Sequence, residues 1–143
     1  CLCVRAEIAC RALSPAVNDP GTAIDVIGRG VRVLSVYAQN KVDTSDVKYP
    51  YVHIAPLFVC DMLEDFFSPI ARDGAAMREI PIRLIKGLSM LSHGWPEEFA
   101  TAARVLACEV REYIEKENYT ASDKERVLAV YFNLFPEIYN KVN

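Results

Sequence analysis

The residues best suited to chemistry cluster in one short stretch, Ser14-Pro15-Ala16-Val17-Asn18-Asp19-Pro20-Gly21-Thr22. It sets two hydroxyls, a carboxamide and a carboxylate close together. Asp19-Pro20 reads as a helix start. An aspartate there accepts from the free amides of the first turn, and proline suits a position whose amide has no helical partner. Such amides attract anions, but the Asp19 carboxylate repels them. A ligand at this point is therefore expected to be a cation or a hydroxyl-bearing compound. The same residues also make a rigid joint between two helices, with Asp19 capping and Ser14 or Asn18 holding stray backbone donors. The joint is the leading reading. A small-ligand or metal-binding, enzyme-like site built on Ser14, Asn18, Asp19 and Thr22, with His53 as a further contributor, is the alternative.

Little else in the chain points to catalysis. Asp61, Glu64 and Asp65 recur at i, i+3 and i+4. That spacing suits Mg²⁺ or Ca²⁺, but a solvated helix face is the expectation. His53 and His93 have no sequence partner for nucleophilic catalysis. Ser14 and Ser92 lack the strand–turn–helix context of a nucleophile elbow. The five cysteines, Cys1, Cys3, Cys10, Cys60 and Cys108, show no spacing that pairs with histidines for zinc. They are expected to be reduced and mostly buried. The sequence thus predicts no catalytic residue, no metal, no cofactor and no enzyme.

The elements that would hold these residues are helices. Leu2, Ala6, Ala9 and Leu13 recur at helical spacing, and Ser14-Pro15 stops that helix. The second runs from Asp19-Pro20 to about residue 40. It carries the stripes Ile24-Ile27-Val31-Leu34-Ala38 and Val26-Gly30-Val33-Tyr37, with only Asp25, Arg29 and Arg32 between them. Two stripes imply packing on several sides, so this is the expected central helix. Gly28 and Gly30 weaken it by about 1 kcal/mol each, which close approach of a neighbour could offset. Residues 49–54 have strand-like composition and predict a short extended segment.

A third helix is expected over residues 57–73, with Phe58, Met62, Phe66 and Ile70 inward, the stripe widened by Val59, Leu63 and Phe67, and Gly74 as its stop. A fourth covers about 76–92, with Pro81 in its first turn and Gly94 beyond its end. The fifth opens at Pro96-Glu97-Glu98, where acidic residues suit the macrodipole, and runs to about 117. Ser122 and Glu125 read as a capping box for the sixth, which Phe135-Pro136 breaks. A last short piece would carry Ile138 and Val142. The fold class is therefore all-α, a compact bundle of about six helices in a single domain over residues 1–143.

Composition agrees. The 143 residues are 52% hydrophobic and 24% charged, with a net charge of −3. Lysines and arginines are scattered along the sequence, so no basic stripe is expected and nucleic acid is not an expected partner. No apolar run reaches the roughly 18 residues of a membrane span, and no signal peptide is visible. The chain starts at Cys1, inside a helix, and is expected to be a soluble piece of a longer protein.

The string Arg11-Ala12-Leu13-Ser14-Pro15-Ala16-Val17-Asn18-Asp19-Pro20-Gly21-Thr22-Ala23 resembles the signature of an uncharacterised bacterial family, domain of unknown function 2254, described as predicted membrane proteins. Glu7-Ile8-Ala9 and the segment from Val52 to Gly74 are similar to it as well. The resemblance is specific at Arg11 to Ala23 and fades after Ser92. It implies an N-terminal region with several membrane spans as this chain's first partner. The present residues would be the C-terminal soluble part, with an assembly, regulatory or sensing role and an unknown small-molecule ligand, and the free-thiol cysteine usage puts them on the cytoplasmic side. The resemblance brings no catalytic residues. Broad apolar stripes on bundle helices also predict a homo-oligomer.

Overall fold

The structure, a computed structural model, describes residues 2–39, 57–93 and 95–136. They form six helices in chain order: α1 (Leu2–Leu13), α2 (Pro20–Gln39), α3 (Val59–Gly74), α4 (Glu79–Ser92), α5 (Glu97–Lys116) and α6 (Ala121–Leu134). The all-α bundle expected from periodicity is what forms. The expected extended segment at 49–54, the stop at Gly94 and the terminal piece with Ile138 and Val142 lie outside the described residues.

The centre of the bundle is not α2. The core is built around α3, which packs on α1, α2, α4 and α5, and α4, which packs on α2, α3, α5 and α6. Ile80, Leu84, Ile85, Leu88 and Leu91 of α4 are fully buried, as are Leu63, Phe66, Phe67 and Ile70 of α3. One edge of α2 buries Ala23, Ile27 and Leu34, while Val33 and Tyr37 stay exposed. The second apolar stripe read on α2 is therefore only partly used. The inward face of α3 keeps Val59, Leu63, Phe66, Phe67 and Ile70 of the expected stripe and adds Ala71, while Phe58, just ahead of the helix, is 63% exposed and Met62 is half-buried.

Two glycines act through close approach. A Cβ at Gly30 would overlap the Phe66 ring, so its absence lets α2 lie directly on α3. Gly74 ends α3 without adopting the left-handed conformation. A Cβ there would overlap Ile80 and press on Leu13, so its role is room for neighbours rather than backbone freedom. Pro69 lies inside α3 and removes the amide that would bond the Asp65 carbonyl. The adjacent Ser68 hydroxyl donates to Glu109 Oε2 at 2.9 Å and ties α3 to α5.

The caps show where local signals were misassigned. α6 is capped by Thr120, whose Oγ1 accepts from the Asp123 amide at 3.2 Å, and not by the Ser122–Glu125 pair. Asp123 in turn pairs with Arg78, joining the start of α6 to the turn before α4. That turn, closed by Met77 N–H to the Gly74 carbonyl at 3.0 Å, delays α4 to Glu79 and leaves Pro81 in its first turn. Tyr119 donates to the Ala75 carbonyl, and burial, aided by nearby Glu117, pushes its hydroxyl up to about 12. Trp95 donates Nε1–H to the Met90 carbonyl at 3.0 Å, folding the α4–α5 link back onto α4.

The four described cysteines are free thiols but are less buried than expected: Cys3 and Cys60 are exposed, Cys10 and Cys108 half-buried, and Cys1 lies outside the described residues. Burial, reinforced by a hydrogen bond with Asp73 and its charge, pushes the Cys10 thiol up to about 11. The Cys108 thiol meets the Tyr131 hydroxyl at 3.7 Å between α5 and α6.

The α2–α3 contact yields a direct test. Gly30→Ala should destabilise the protein by about 2 kcal/mol through overpacking, despite alanine's better helix propensity. Phe66→Leu in the same chain should recover part of that loss. Thermal melts in which Gly30→Ala raises Tm would refute the close-approach role.

Candidate functional site

The α1–α2 joint is a hydrogen-bonded corner. Val17 N–H and Asn18 N–H donate to the Ser14 carbonyl at 3.0 and 2.8 Å, and Asp19 N–H reaches back to the Ala12 carbonyl at 2.8 Å. Asn18 sits at φ 50°, a left-handed conformation that asparagine tolerates better than most side chains. Ser14 does not serve a stray amide. Its hydroxyl donates to the Arg11 carbonyl at 2.8 Å. Asp19 caps α2 as expected, with Oδ1 accepting from Thr22 N–H at 3.1 Å and Oδ2 accepting from the Thr22 hydroxyl at 2.6 Å. These two Thr22 bonds hold the Asp19 carboxyl below its ordinary range. The structure thus brings Asp19 and Thr22 together and turns Ser14 toward the chain. His53 lies outside the described residues.

The other candidates resolve simply. Asp61, Glu64 and Asp65 are all exposed. Among the described residues no three His, Cys, Asp or Glu side chains converge to hold a metal ion. Ser92 Oγ lies 3.0 Å from His93 Nδ1, which resembles a nucleophile–base pair. However, Ser92 donates to the Ser89 carbonyl, and His93 Nδ1 is 2.8 Å from that same oxygen. A carbonyl only accepts, so Nδ1 carries the proton and cannot take one from Ser92.

The feature that the sequence did not reveal is a trough beside the joint. Its middle, with a volume of about 710 Å³, is lined by Arg5 of α1, Gly21, Asp25, Arg29 and Arg32 of α2, and Arg83 of α4, among others. On one side it continues past Arg5, Asp25 and Arg29 to Val4, Ile8 and Thr22. On the other it continues past Arg32 and Arg83 to Lys86 and Met90. The local reason is helical spacing. Gly21, Asp25, Arg29 and Arg32 stand three or four residues apart and share one side of α2. Gly28 lies on the same strip. A Cβ there would come within 2.9 Å of Arg83 Nη2, so the bare backbone leaves room for the guanidinium from α4.

Five cationic side chains, Arg5, Arg29, Arg32, Arg83 and Lys86, therefore share this surface with one carboxylate, Asp25. Asp25 Oδ2 is held by Arg29 Nε at 2.8 Å. Among the described residues no carboxylate lies within ion-pair distance of Arg5, Arg32, Arg83 or Lys86. The basic residues are scattered in sequence but gathered in space, which corrects the expectation that no basic surface forms. Guanidinium and ammonium groups donate only, and arginine's planar fork matches phosphate or carboxylate oxygens two at a time. The arrangement is suited to holding an anion.

The family of predicted membrane proteins designated domain of unknown function 2254 matches residues 2–90, well over half of the chain. The chain belongs to that family. The matched stretch holds α1, the joint, α2, α3 and nearly all of α4, and so every residue that lines the trough. α5 and α6 lie beyond it, in line with a resemblance that fades after Ser92. No curated protein and no solved structure matches the chain. No helix of the described residues is long and apolar enough to cross a membrane.

Asp19 and Asp123 give the joint and the α4–α6 contact a pH signature. Both carboxyls are held below their ordinary value, Asp19 by Thr22 and Asp123 mainly by Arg78 and then Thr120. A depressed carboxyl stabilises the fold above its unfolded pKa, and that contribution disappears as pH falls through the lower folded value. Tm should therefore drop below about pH 4. Asp19→Ala should lower Tm by a few degrees at neutral pH and flatten part of the acid limb. An acid limb unchanged in the Asp19→Ala, Asp123→Asn double variant would show that other groups control it.

Proposed function

We propose that this chain is an extramembrane helical domain of a membrane protein, on the cytoplasmic side, and that it serves assembly, regulation or sensing by binding an anionic group rather than by making or breaking bonds. The observation that carries this reading is the trough. Five cations from three helices converge on one open face with a single carboxylate among them, itself paired to Arg29. Such a surface offers many donors and no unengaged base. Membership of a family of predicted membrane proteins supports membrane-crossing segments of the same protein as the first partner.

A second reading places a small-molecule ligand on the Ser14–Thr22 segment. One observation favours it: Gly21 and Thr22 line the trough. Against it, the side-chain oxygens of Asp19 and the Thr22 hydroxyl are engaged with each other or with the first turn of α2. The segment serves better as the rigid rim of the trough than as its chemistry.

Two measurements test the proposal. In a thermal-shift series with inorganic phosphate, sulfate and neutral metabolites, the anions should raise Tm. A ligand at about a hundred times its Kd stabilises by about 2.7 kcal/mol, a shift of several degrees in a domain of this size. Arg32→Gln should abolish the shift and Asp19→Ala should keep it. Loss in Asp19→Ala but not in Arg32→Gln would favour the second reading. For sidedness, protease added to inside-out membrane vesicles should cut the domain, and protease added to right-side-out vesicles should not. The reverse pattern would rule out the cytoplasmic assignment.

A further inference from the structure

We propose that the α1–α2–α4 face docks on an anionic bilayer surface, with the trough's cations taking phospholipid phosphates and the apolar residues at its ends entering the headgroup boundary. This rests on the anion-binding reading above and names the partner.

Four observations carry it. First, the charge is polarised. The chain is net acidic at −3, and the basic groups Arg72, Arg78, Arg104, Arg111 and Lys116 each pair with a carboxylate outside the trough. The cations left without one at ion-pair distance include four on this face. Second, apolar side chains flank the charge. Val4 and Ile8 at one end and Met90 at the other are 54%, 49% and 64% exposed. Exposed cations bordered by exposed apolar groups are the pattern of an interfacial membrane surface.

Third, the trough is open and extends across three helices. A small soluble ligand is usually enclosed on most sides, whereas an open, elongated, cationic face suits an extended anionic plane. Fourth, the chain belongs to a family of predicted membrane proteins, so a bilayer is the surface this face would meet. Nucleic acid shares the phosphate chemistry but fits less well. Among the described residues the lining contains no aromatic side chain on which a base could stack, and the apolar ends have no counterpart on a phosphate backbone.

The test is co-sedimentation of the 143-residue chain with vesicles of phosphatidylcholine alone and with about one-third phosphatidylglycerol. Binding is expected only to the anionic vesicles and should weaken as salt rises, because screening shortens the reach of exposed charge. Each cation near such a surface is worth about a five-fold gain in binding. Arg32→Gln with Arg83→Gln should therefore weaken binding about thirty-fold. Arg126→Gln on α6, away from the trough, should change nothing. Ile8→Gln with Met90→Gln should weaken vesicle binding while leaving the phosphate-induced Tm shift intact. Helical circular dichroism of each variant verifies that the fold is kept.

Equal binding to both vesicle types, or full binding by the double arginine variant, would overturn the proposal. A phosphate-induced Tm shift without vesicle binding would overturn the bilayer partner and leave the anion-binding function standing. Absence of both would overturn both. Tighter, arginine-dependent binding to an oligonucleotide than to anionic vesicles would replace the bilayer with nucleic acid.

Discussion

The contact between Gly30 and the Phe66 ring sets how closely α2 can approach α3. With no Cβ at Gly30, α2 lies directly against α3, where Phe66 and Phe67 meet edge-on with centroids 4.8 Å apart. α2 also packs beside α4, where Gly87 makes room for Val31. Each glycine weakens its helix by about 1 kcal/mol. The packing of large buried side chains in that seam offsets the cost, since burying one phenylalanine is worth about 2–3 kcal/mol. Once α2 is seated between α1 and α4, its outer strip of Asp25, Arg29 and Arg32 has to stand between Arg5 and Arg83. The trough is a consequence of the seam.

The charges sort into two populations. On most faces, basic side chains sit beside acids at helical spacing or across a helix pair, as with Arg111 and Glu115 at 2.8 Å. Exposed pairs of this kind contribute little stability but neutralise the surface. Along the trough the described residues supply a single carboxylate, Asp25, and cations that repel one another are kept close. Like charges held together cost stability unless a counter-charge is supplied from outside. The face is therefore better suited to recognition than to holding the bundle together.

The joint at Ser14 to Asp19 contributes rigidity. Its amides are used within the corner, Asn18 turns the chain through the left-handed region, and Asp19 with Thr22 closes the start of α2. The segment that carries the resemblance to the family lies at the rim of the trough, where Gly21 and Thr22 line it.

Much of this was legible in the residues alone. The helix starts at Asp19-Pro20 and Pro96, the place of Pro81 and the break at Phe135-Pro136 are local backbone effects, so the sequence near each one determines it. The all-α class followed from apolar spacing, and the family from the Arg11 to Ala23 string. Three things were decided only by the tertiary structure. Phe58 was left out of the inward face of α3 because side chains from α1 and α5, distant in sequence, choose which residues they cover. The placing of the start of α6 against the turn before α4 rests on the Arg78–Asp123 pair, whose two residues lie far apart in sequence. The cationic trough was invisible because Arg5, Arg29, Arg32, Arg83 and Lys86 are spread over some eighty positions of chain. Charge adds up through space, and only the packing of three helices determines which charges are neighbours.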